Sequence, residues 1–349
     1  MSAEPHAPLL ALLEDVKDHP DDDSRRLALA DWMEQHGRDD AERARGRFIR
    51  LQCRRARLSP GDPLVGVLEA QEQALRREFL AAWLGDWQPW VTRLDTESHW
   101  FDRGLLRPWV TGLGWLALEA VPPDSAAWAW VDGLVVLDLS RAEEVARLAA
   151  SPVLRGMTSL EFGPDSWDGN SEFGDAGAQA LAASPHLTRL RSLELGDTDV
   201  GPEGFRALVQ APLLGRLTSL KLTGFDCTTS NHIGDEGALA LAAATHMTGL
   251  SCLWLMENCI GRDGARALAG AAHLDSLTEL DLGSNPVGPE GALALASSPF
   301  FSGLTALRVD VTASPNHSAG FRVNASEPEL EQARAALRQR FGAAWRSAS

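Results

Sequence analysis

The sequence predicts an α/β fold, a leucine-rich solenoid (a horseshoe with a parallel sheet inside and helices outside) behind a small all-helical domain. Two observations predict it: seven copies of the pattern L-x-x-L-x-L, and alanine-rich segments that follow Gly-x-x-Gly turns. A strand–turn–helix unit such as 277–296 is too short to bury its own apolar face, so it needs copies of itself on either side. Stacked units of this kind form a solenoid.

The central leucines of the seven predicted strands define the repeat. They are Leu137, Leu160, Leu193, Leu220, Leu253, Leu280 and Leu307, separated by 23, 33, 27, 33, 27 and 27 residues. Each step of 33 rather than 27 residues contains an insertion between the strand and the Gly-x-x-Gly turn, and the insertions contain Trp167 and Phe225. We expect seven buried leucines on adjacent parallel strands, with both insertions on one edge of the sheet.

Two further residue types recur with the repeat. Each helical segment carries Asp or Glu in or near its first turn, where the positive end of the helix dipole stabilises a carboxylate. Asn258 and Asn285 follow their strands at equivalent positions, and counting from the strands places Asp165, Thr198, Phe225 and Thr312 there in other repeats. We therefore expect an incomplete ladder of asparagine side chains along the loops.

These units resemble the ribonuclease-inhibitor type of leucine-rich repeat, whose L-x-x-L-x-L-x-x-N and G-D-E-G-A-x-x-L-A signatures recur here. The match is best over residues 190–311, looser over 157–189 and weak over 134–156. The resemblance implies the solenoid fold, which does not by itself determine the function.

We predict four regions: a helical domain over 1–85, a tryptophan-rich junction and cap over 86–133, seven repeats over 134–311, and a C-terminal cap with a helix over 312–349. In the first region, helix faces are predicted from the spacing of apolar residues. One face carries Leu29, Trp32 and Met33, and the next helix carries Phe48, Leu51 and Leu58.

Two stretches of this region, HPDDDSRRLALADWMEQHG and RGRFIRLQ, resemble the repeat-companion domain, a bacterial module of unknown function found before leucine-rich repeats. The matching residues are Pro20, Asp22, Arg26, Leu27, Ala30, Asp31, Trp32, Glu34, Gly37, Phe48, Ile49, Arg50 and Gln52. Gly46 and Arg47 depart from the pattern, which usually has Ala and Glu. The resemblance implies no known activity.

The charged residues of this module allow two interpretations each. Asp31, Glu34 and Arg50 form a polar site, or Asp31 and Arg50 pair across two helices, which we favour. The arginine run either binds RNA or anionic lipid, or forms a solvated helix face, which the nearby acidic residues favour. The run comprises Arg43, Arg45, Arg47, Arg50, Arg54, Arg55 and Arg57.

Eight of the twelve tryptophans lie between Trp83 and Trp130. They could stack on sugars or bases, but we favour a cap on the first repeat, because aromatic side chains dominate buried contacts between elements. At the other end, a helix with Leu330, Ala333, Leu337, Phe341 and Trp345 along one face is predicted to close the last repeat.

Charge restricts the class of partner. The chain has a net charge of −16, and residues 126–311 contain 23 Asp and Glu against 11 Lys and Arg. Such a surface repels phosphates, so we predict no nucleic-acid partner and favour a protein with a basic region. The absence of a long apolar run or a leader predicts no membrane segment. Cysteines without metal-ligand spacing predict reduced thiols in a cytoplasmic protein.

No catalytic motif stands out, so we predict no catalytic residue, cofactor or metal site. His186, His246 and His273 occupy equivalent positions in their repeats, which indicates a structural role. His232 and Cys227 alone are a weak basis for a metal site.

The predicted function is non-enzymatic protein binding by a monomer through the concave face and the loop edge. The concave-face residues are Asp138, Glu161, Glu194, Lys221, Trp254, Met256, Asp281 and Arg308, and the loop-edge residues are Trp167 and Phe225. Trp254 is the predicted anchor, since tryptophan is enriched at interface hot spots. Alternatively, Trp254 packs against Lys221 and Asp281, and the rings of the insertions cover their own loops. Two other functions stay open: a regulatory protein of enzyme-activating or ligase-like type with an active residue outside the repeats, and a multi-partner scaffold.

Overall fold

The computed structural model describes residues 7–59, 61–85, 87, 101–111, 128–137, 141–163, 173–224, 231–312 and 325–346. The chain divides into two compact units. The first comprises residues 1–135 and 155–158, and the second comprises residues 136–154 and 159–349. We call them the helical unit and the repeat unit.

The helical unit contains four helices, α1 (Ala7–Asp18), α2 (Asp23–His36), α3 (Asp40–Arg55) and α4 (Leu64–Leu84). These are followed by short strands β1 (Phe101–Asp102), β2 (Leu105–Leu106) and β3 (Trp109–Thr111). Helix α2 begins at the cap Asp22, whose side chain accepts a hydrogen bond from Ser24 N at 2.8 Å, and it ends at Gly37. Both limits agree with the sequence pattern, because Asp is a preferred N-cap residue.

Helix α3 is covered on two sides, by α2 and by α4. Its buried face therefore includes Phe48, Ile49 and Cys53, whereas Leu51 and Leu58 are only half-buried. The predicted helix was too long, because α3 ends at Arg55 and Leu58 lies beyond it. Leu51 lies beside the buried face, because α3 packs against two helices rather than one. Leu29 and Met33 of α2 are buried as predicted.

Gly46 lies where α3 packs closely against α2. A Cβ atom there would lie 2.8 Å from the carbonyl oxygen of Ala30 and 3.2 Å from Met33 Cβ. Backbone at that distance cannot be displaced without separating the helices. The close approach accounts for Gly46 at a position where the resemblance led us to expect Ala.

The repeat unit is a parallel sheet with a helix after most strands. Its strands are β5 (Ser159–Gly163), β6 (Ser192–Gly196), β7 (Ser219–Thr223), β8 (Cys252–Trp254), β9 (Glu279–Leu282), β10 (Ala306–Val309) and β11 (Trp345–Arg346). Each pairs with the next in parallel register. Strand β4 (Gly133–Leu137) spans the boundary between the two units.

The helices of the repeat unit follow the strands as the sequence predicts. They are α5 (Ala142–Ala149), α6 (Gly174–Ala182), α7 (Pro202–Gln210), α8 (Gly234–Ala243), α9 (Arg262–Ala269), α10 (Gly288–Ser297) and α11 (Glu327–Phe341). Neighbouring helices pack on one another. The central leucines of β5 to β10 are all buried, so the predicted registration is confirmed for six strands.

The registration of the first strand was wrong by three residues. Leu137 is half-buried, whereas Leu134 and Val136 are buried. The amide of Thr158, directly before β5, donates to the carbonyl of Asp132, directly before β4. The same bond joins Thr278 to Ser251 and Thr305 to Thr278 further along the unit. In the repeat pattern Leu134, two residues after Asp132, therefore corresponds to Leu160, two residues after Thr158.

The asparagine ladder is longer than predicted. Asn231 is fully buried, donates to Leu195 O at 2.6 Å and accepts from Val200 N at 2.9 Å. Asn285 likewise donates to Leu255 O at 2.7 Å and accepts from Ile260 N at 2.9 Å. Asn231 therefore takes the position that counting gave to Phe225, because the insertion precedes the asparagine.

Acidic residues in the first turns of two helices accept hydrogen bonds from the next repeat. Asp175 Oδ1, in the first turn of α6, accepts hydrogen bonds from Gly201 N and Gly204 N, both at 2.8 Å. Asp235 Oδ1 accepts from Gly261 N at 2.7 Å and Gly264 N at 2.8 Å. Each carboxylate thus satisfies amide groups at the start of the following helix, which have no partner within that helix. This contact links successive repeats.

At the C-terminal end, α11 packs against α10. Trp345, however, does not continue the helix. It pairs with Leu307 as part of β11, which places Arg346 beside Arg308.

Candidate interaction surface

The fifth positions of the repeat pattern form one line of side chains across the sheet. We call this line the charged row. It consists of Glu161, Glu194, Lys221, Trp254, Asp281, Arg308 and Arg346, each aligned with the next by strand register. The structure thus aligns the six predicted residues that it describes and adds Arg346. Asp138, Trp167 and Phe225 lie outside the described residues.

Alternation along the strands brings these side chains to the surface. In β5, β6 and β7 the second and fourth residues are buried and the residues between them are half-buried. Alternate side chains of a strand point to opposite faces, so the leucines pack inward and the row residues point outward. The row is therefore available to a partner without any change in the fold.

Lys221 links the middle of the row. Its Nζ lies 3.2 Å from Glu194 Oε2 and 4.2 Å from the centre of the Trp254 ring. An ammonium group over an indole face is attracted by the ring quadrupole, which is worth about 0.5–1 kcal/mol at exposed sites. The alternative interpretation had Trp254 packing against Lys221 and Asp281, and the contact with Lys221 is present. The Trp254 side chain is half-buried rather than fully exposed.

Residues on both sides of the row are mostly small. Ser192, Ser219, Cys252 and the larger Glu279 are aligned on one side. On the other side, two positions after the row, are Gly196, Thr223, Met256 and Gly283. Trp254 and Met256 together make the middle of this face its most apolar part, since both are half-buried large side chains.

The second half of the row contains a carboxylate, Asp281, followed by two arginines. Arg308 Nη1 lies 3.7 Å from Asp281 Oδ2, and Asp281 Oδ1 accepts a hydrogen bond from Gly283 N at 2.8 Å. Burial raises the pKa of Asp281, although the Gly283 amide and Arg308 oppose that shift. Arg308 and Arg346 are both exposed, and the carboxylates of Glu279 and Asp281 lie on the strand next to Arg308.

Arg346 was missed because helical spacing was extended too far. Phe341 and Trp345 are separated by one helical turn, which suggested a single helix through both. A strand of only two residues, Trp345 and Arg346, leaves no periodic signal in the sequence.

In the helical unit, Arg50 pairs with Asp31 and also lies 3.1 Å from Glu34 Oε1. All three side chains are at least partly exposed. The predicted pairing of Asp31 with Arg50 is confirmed, but exposed pairs of this kind contribute only about 0–1 kcal/mol.

One member of the arginine run is not solvated, which corrects that expectation. Arg45 is buried, with its Nη2 3.2 Å from Gly104 O and its guanidinium carbon 3.6 Å from the centre of the Trp130 ring. Burial lowers the pKa of Arg45 to about 9. Because Arg45 is part of α3, these contacts hold Gly104 and Trp130 against that helix within the helical unit.

Cys53, Cys252 and Cys259 are free thiols, and Cys227 lies outside the described residues. Burial raises the pKa of Cys53 to about 12, so its thiol stays protonated. Across the ranges given above, no group of three or more His, Cys, Asp or Glu side chains is placed to hold a metal ion. Among the same residues, none of the helices has the length and apolar character needed to cross a membrane.

Comparison with known proteins agrees with this architecture. A family model described as Leucine Rich repeat matches residues 186–209, 229–242 and 273–296. The chain therefore contains leucine-rich repeats, and strands β6 and β9 lie within the matched segments. No curated protein matches the chain. The ribonuclease-inhibitor-like subtype and the repeat-companion module stay predictions.

Proposed function

We propose that this protein is a non-enzymatic binding module that holds a protein partner on the charged row. Leucine-rich repeats generally serve protein interactions, and stacked repeats present an extended surface. The observation that carries the proposal is the placement of Trp254 and Met256 at the centre of a row of charged side chains. An apolar centre inside a polar rim is the usual anatomy of a protein interface.

Charge supports a partner with a basic region. Glu161 and Glu194 lie side by side at one end of the row. Carboxylates in such a position accelerate association with a basic surface and make it sensitive to salt. We further propose that the protein acts as a monomer in the cytoplasm, where its free thiols would stay reduced.

Replacing Trp254 by Ala is expected to weaken partner binding by about 2 kcal/mol or more, because truncating a central aromatic anchor removes its buried contacts. Thermal stability should change little, since the ring is half-buried and its packing partner Lys221 can be rehydrated. Wild-type and variant chains are each used to capture proteins from the native host, and the captured proteins are compared. The captured partner is then titrated with each chain. Leu239→Ala, which truncates an exposed side chain on α8, is the matched control. A loss below half the expected size would remove Trp254 from the interface.

Deleting both insertions is expected to abolish binding if Trp167 and Phe225 contact the partner. The deletions are residues 165–170 and 225–230, which restore the shorter repeat length and leave Asn231 in place. Circular dichroism and melting of the deleted chain should match the wild type. If the partner binds this chain with wild-type affinity, the rings only cover their own loops.

A further inference from the structure

We propose that the helical unit has a buried site for one water molecule, which accepts hydrogen bonds from Arg26 and donates one to Asp132. The site does not depend on the proposed function, because it involves neither the charged row nor the loop edge. The bound water completes a ring of polar contacts that joins α2 to β1 and to the residue directly before β4.

The Arg26 side chain is fully buried, and only one of its three guanidinium nitrogens has a protein partner. Nη1 donates to Pro20 O, whereas Nε and Nη2 have no acceptor among the residues that the structure describes. Together, Nε and Nη2 form an edge of the guanidinium that can donate two parallel hydrogen bonds. A buried charged group is costly without hydrogen bonds, so this edge needs an acceptor.

Asp132 provides the complementary unpartnered atom. The residue is 1% exposed, and its Oδ1 lies 3.2 Å from Arg107 Nε. Its Oδ2 is buried and has no donor within the described part of the chain. The helical unit thus contains a buried donor edge and a buried acceptor of opposite charge.

A chain of hydrogen bonds and ion pairs leads from one unpartnered group to the other. Its members, in order, are Arg26, Pro20, Arg103, Asp102, Arg107 and Asp132. Neighbouring members are in contact at 3.4 Å or less. Arg26 and Asp132 are the two ends of this chain, and both ends carry the atoms that lack a partner.

The electrostatic effect of Asp132 on Arg26 indicates that the two ends lie near each other. Burial lowers the pKa of Arg26 and the neighbouring Arg103 lowers it further, whereas Asp132 and, more weakly, Asp102 raise it. Asp132 therefore acts on Arg26 more strongly than Asp102 does, although Asp102 comes earlier in the chain. The chain curves back toward its start without a direct contact between its ends.

The charges around this gap favour water over an ion. Three arginines are balanced by three aspartates, which are Arg26, Arg103, Arg107, Asp23, Asp102 and Asp132. Arg57, which also contacts Asp23, is 59% exposed and therefore solvated. Asp132 would repel an anion and Arg26 would repel a cation, whereas water both accepts and donates. A water that accepts from both Arg26 nitrogens and donates to Asp132 makes about three hydrogen bonds, the usual number for buried water.

High-resolution diffraction from crystals of the full chain, grown with bromide in place of chloride, tests the site directly. A water peak is expected about 2.9 Å from Arg26 Nε or Nη2 and about 2.8 Å from Asp132 Oδ2. Anomalous scattering from bromide at this place would overturn the proposal. A direct contact between Arg26 and Asp132, or no peak between them, would overturn it as well.

Oxygen-17 relaxation dispersion counts long-lived internal water molecules in solution. Arg26→Met is expected to contain one such water fewer than the wild type. Arg45→Met is the matched control, because Arg45 is also buried but its Nε, Nη1 and Nη2 all have carbonyl acceptors. It should keep the wild-type count, and circular dichroism verifies that both variants fold. An unchanged count in Arg26→Met, or the same loss in both variants, would contradict the site.

The sign of the stability change distinguishes a bridged guanidinium from a bare one. With the water bound, Arg26→Met should raise the equilibrium constant for unfolding about tenfold or more, because it removes one partner of a buried charge network. Removal of a bare buried guanidinium would instead stabilise the protein. Pro20 O keeps Arg103 as a donor in the variant, so it is not left unpaired. The effect should be smaller in an Asp132→Asn background. A stabilising Arg26→Met, or equal effects in both backgrounds, would refute the bridge.

Discussion

Gly104→Ala is expected to lower the free energy of unfolding of the helical unit by about 3 kcal/mol or more, through backbone strain and overpacking combined. Gly104 has a φ of +92°, which L-residues rarely adopt, and a Cβ atom there would lie 2.1 Å from Ile49 Cγ1. Ile49 is buried in the core of the unit and has a stiff branched side chain, so it cannot move aside cheaply.

Backbone displacement would not relieve the clash without further loss. Gly104 N donates to Gln52 Oε1 at 2.8 Å, and Gly104 O accepts from Arg45. Gln52 and Arg45 are both buried, so breaking either contact would leave a buried polar group unpaired. Each such group costs about 1–3 kcal/mol.

Chemical denaturation followed by tryptophan fluorescence measures the effect, since most tryptophans belong to this unit's chain segment. Gly66→Ala in α4 is the matched control, because a Cβ atom there meets nothing within 4 Å. It should stabilise the helix by up to about 1 kcal/mol. An unchanged unfolding midpoint for Gly104→Ala would refute the close packing of Gly104 against Ile49.

Repeat periodicity explains why most of the repeat unit was predictable. Leu160 to Leu307 recur at two closely related spacings, and only one registration buries all six. The first strand lacks this constraint, because Val131, Leu134 and Val136 also fit the apolar pattern. Choosing the registration with more leucines over the one that contains Val131 and Val136 shifted the predicted strand by three residues.

Counting along a strand fails where an insertion can lie on either side of a marker residue. The insertion after β7 could precede or follow the asparagine position, and only the hydrogen bonds of Asn231 distinguish the two. Contacts between distant segments have no local signal at all. Arg45 and Gly104 are 59 residues apart, and nothing in either segment indicates their hydrogen bond.

The site was predictable to a similar degree. Strand alternation placed Glu194, Lys221, Trp254, Asp281 and Arg308 on one line, because a register derived from leucines also fixes the residues between them. The pattern carries no information on the contacts among these side chains. Trp254 is half-buried and lies under Lys221, and that contact follows from side-chain conformations rather than from spacing.

Leu253→Ala is expected to destabilise the repeat unit by about 2–5 kcal/mol, the range for a buried leucine replaced by alanine. Leu253 has no exposed surface and lies between Leu220 and Leu280 on neighbouring strands. The neighbouring repeats hold the surrounding backbone in place, so the cavity cannot collapse fully. Its position in the middle of the unit also means that each repeat beside it loses a packing partner, and stability in stacked repeats depends on such interfaces.

Leu239→Ala provides the control within the same unit. Leu239 is 51% exposed on α8, so its truncation should change stability by no more than about 0.5 kcal/mol. Thermal or urea denaturation followed by circular dichroism compares the two variants with the wild type. Because the chemical change is identical, the difference between them isolates burial. Equal midpoints for the two variants would show that Leu253 does not lie in a packed interior, and the strand registration of the repeats would then be wrong.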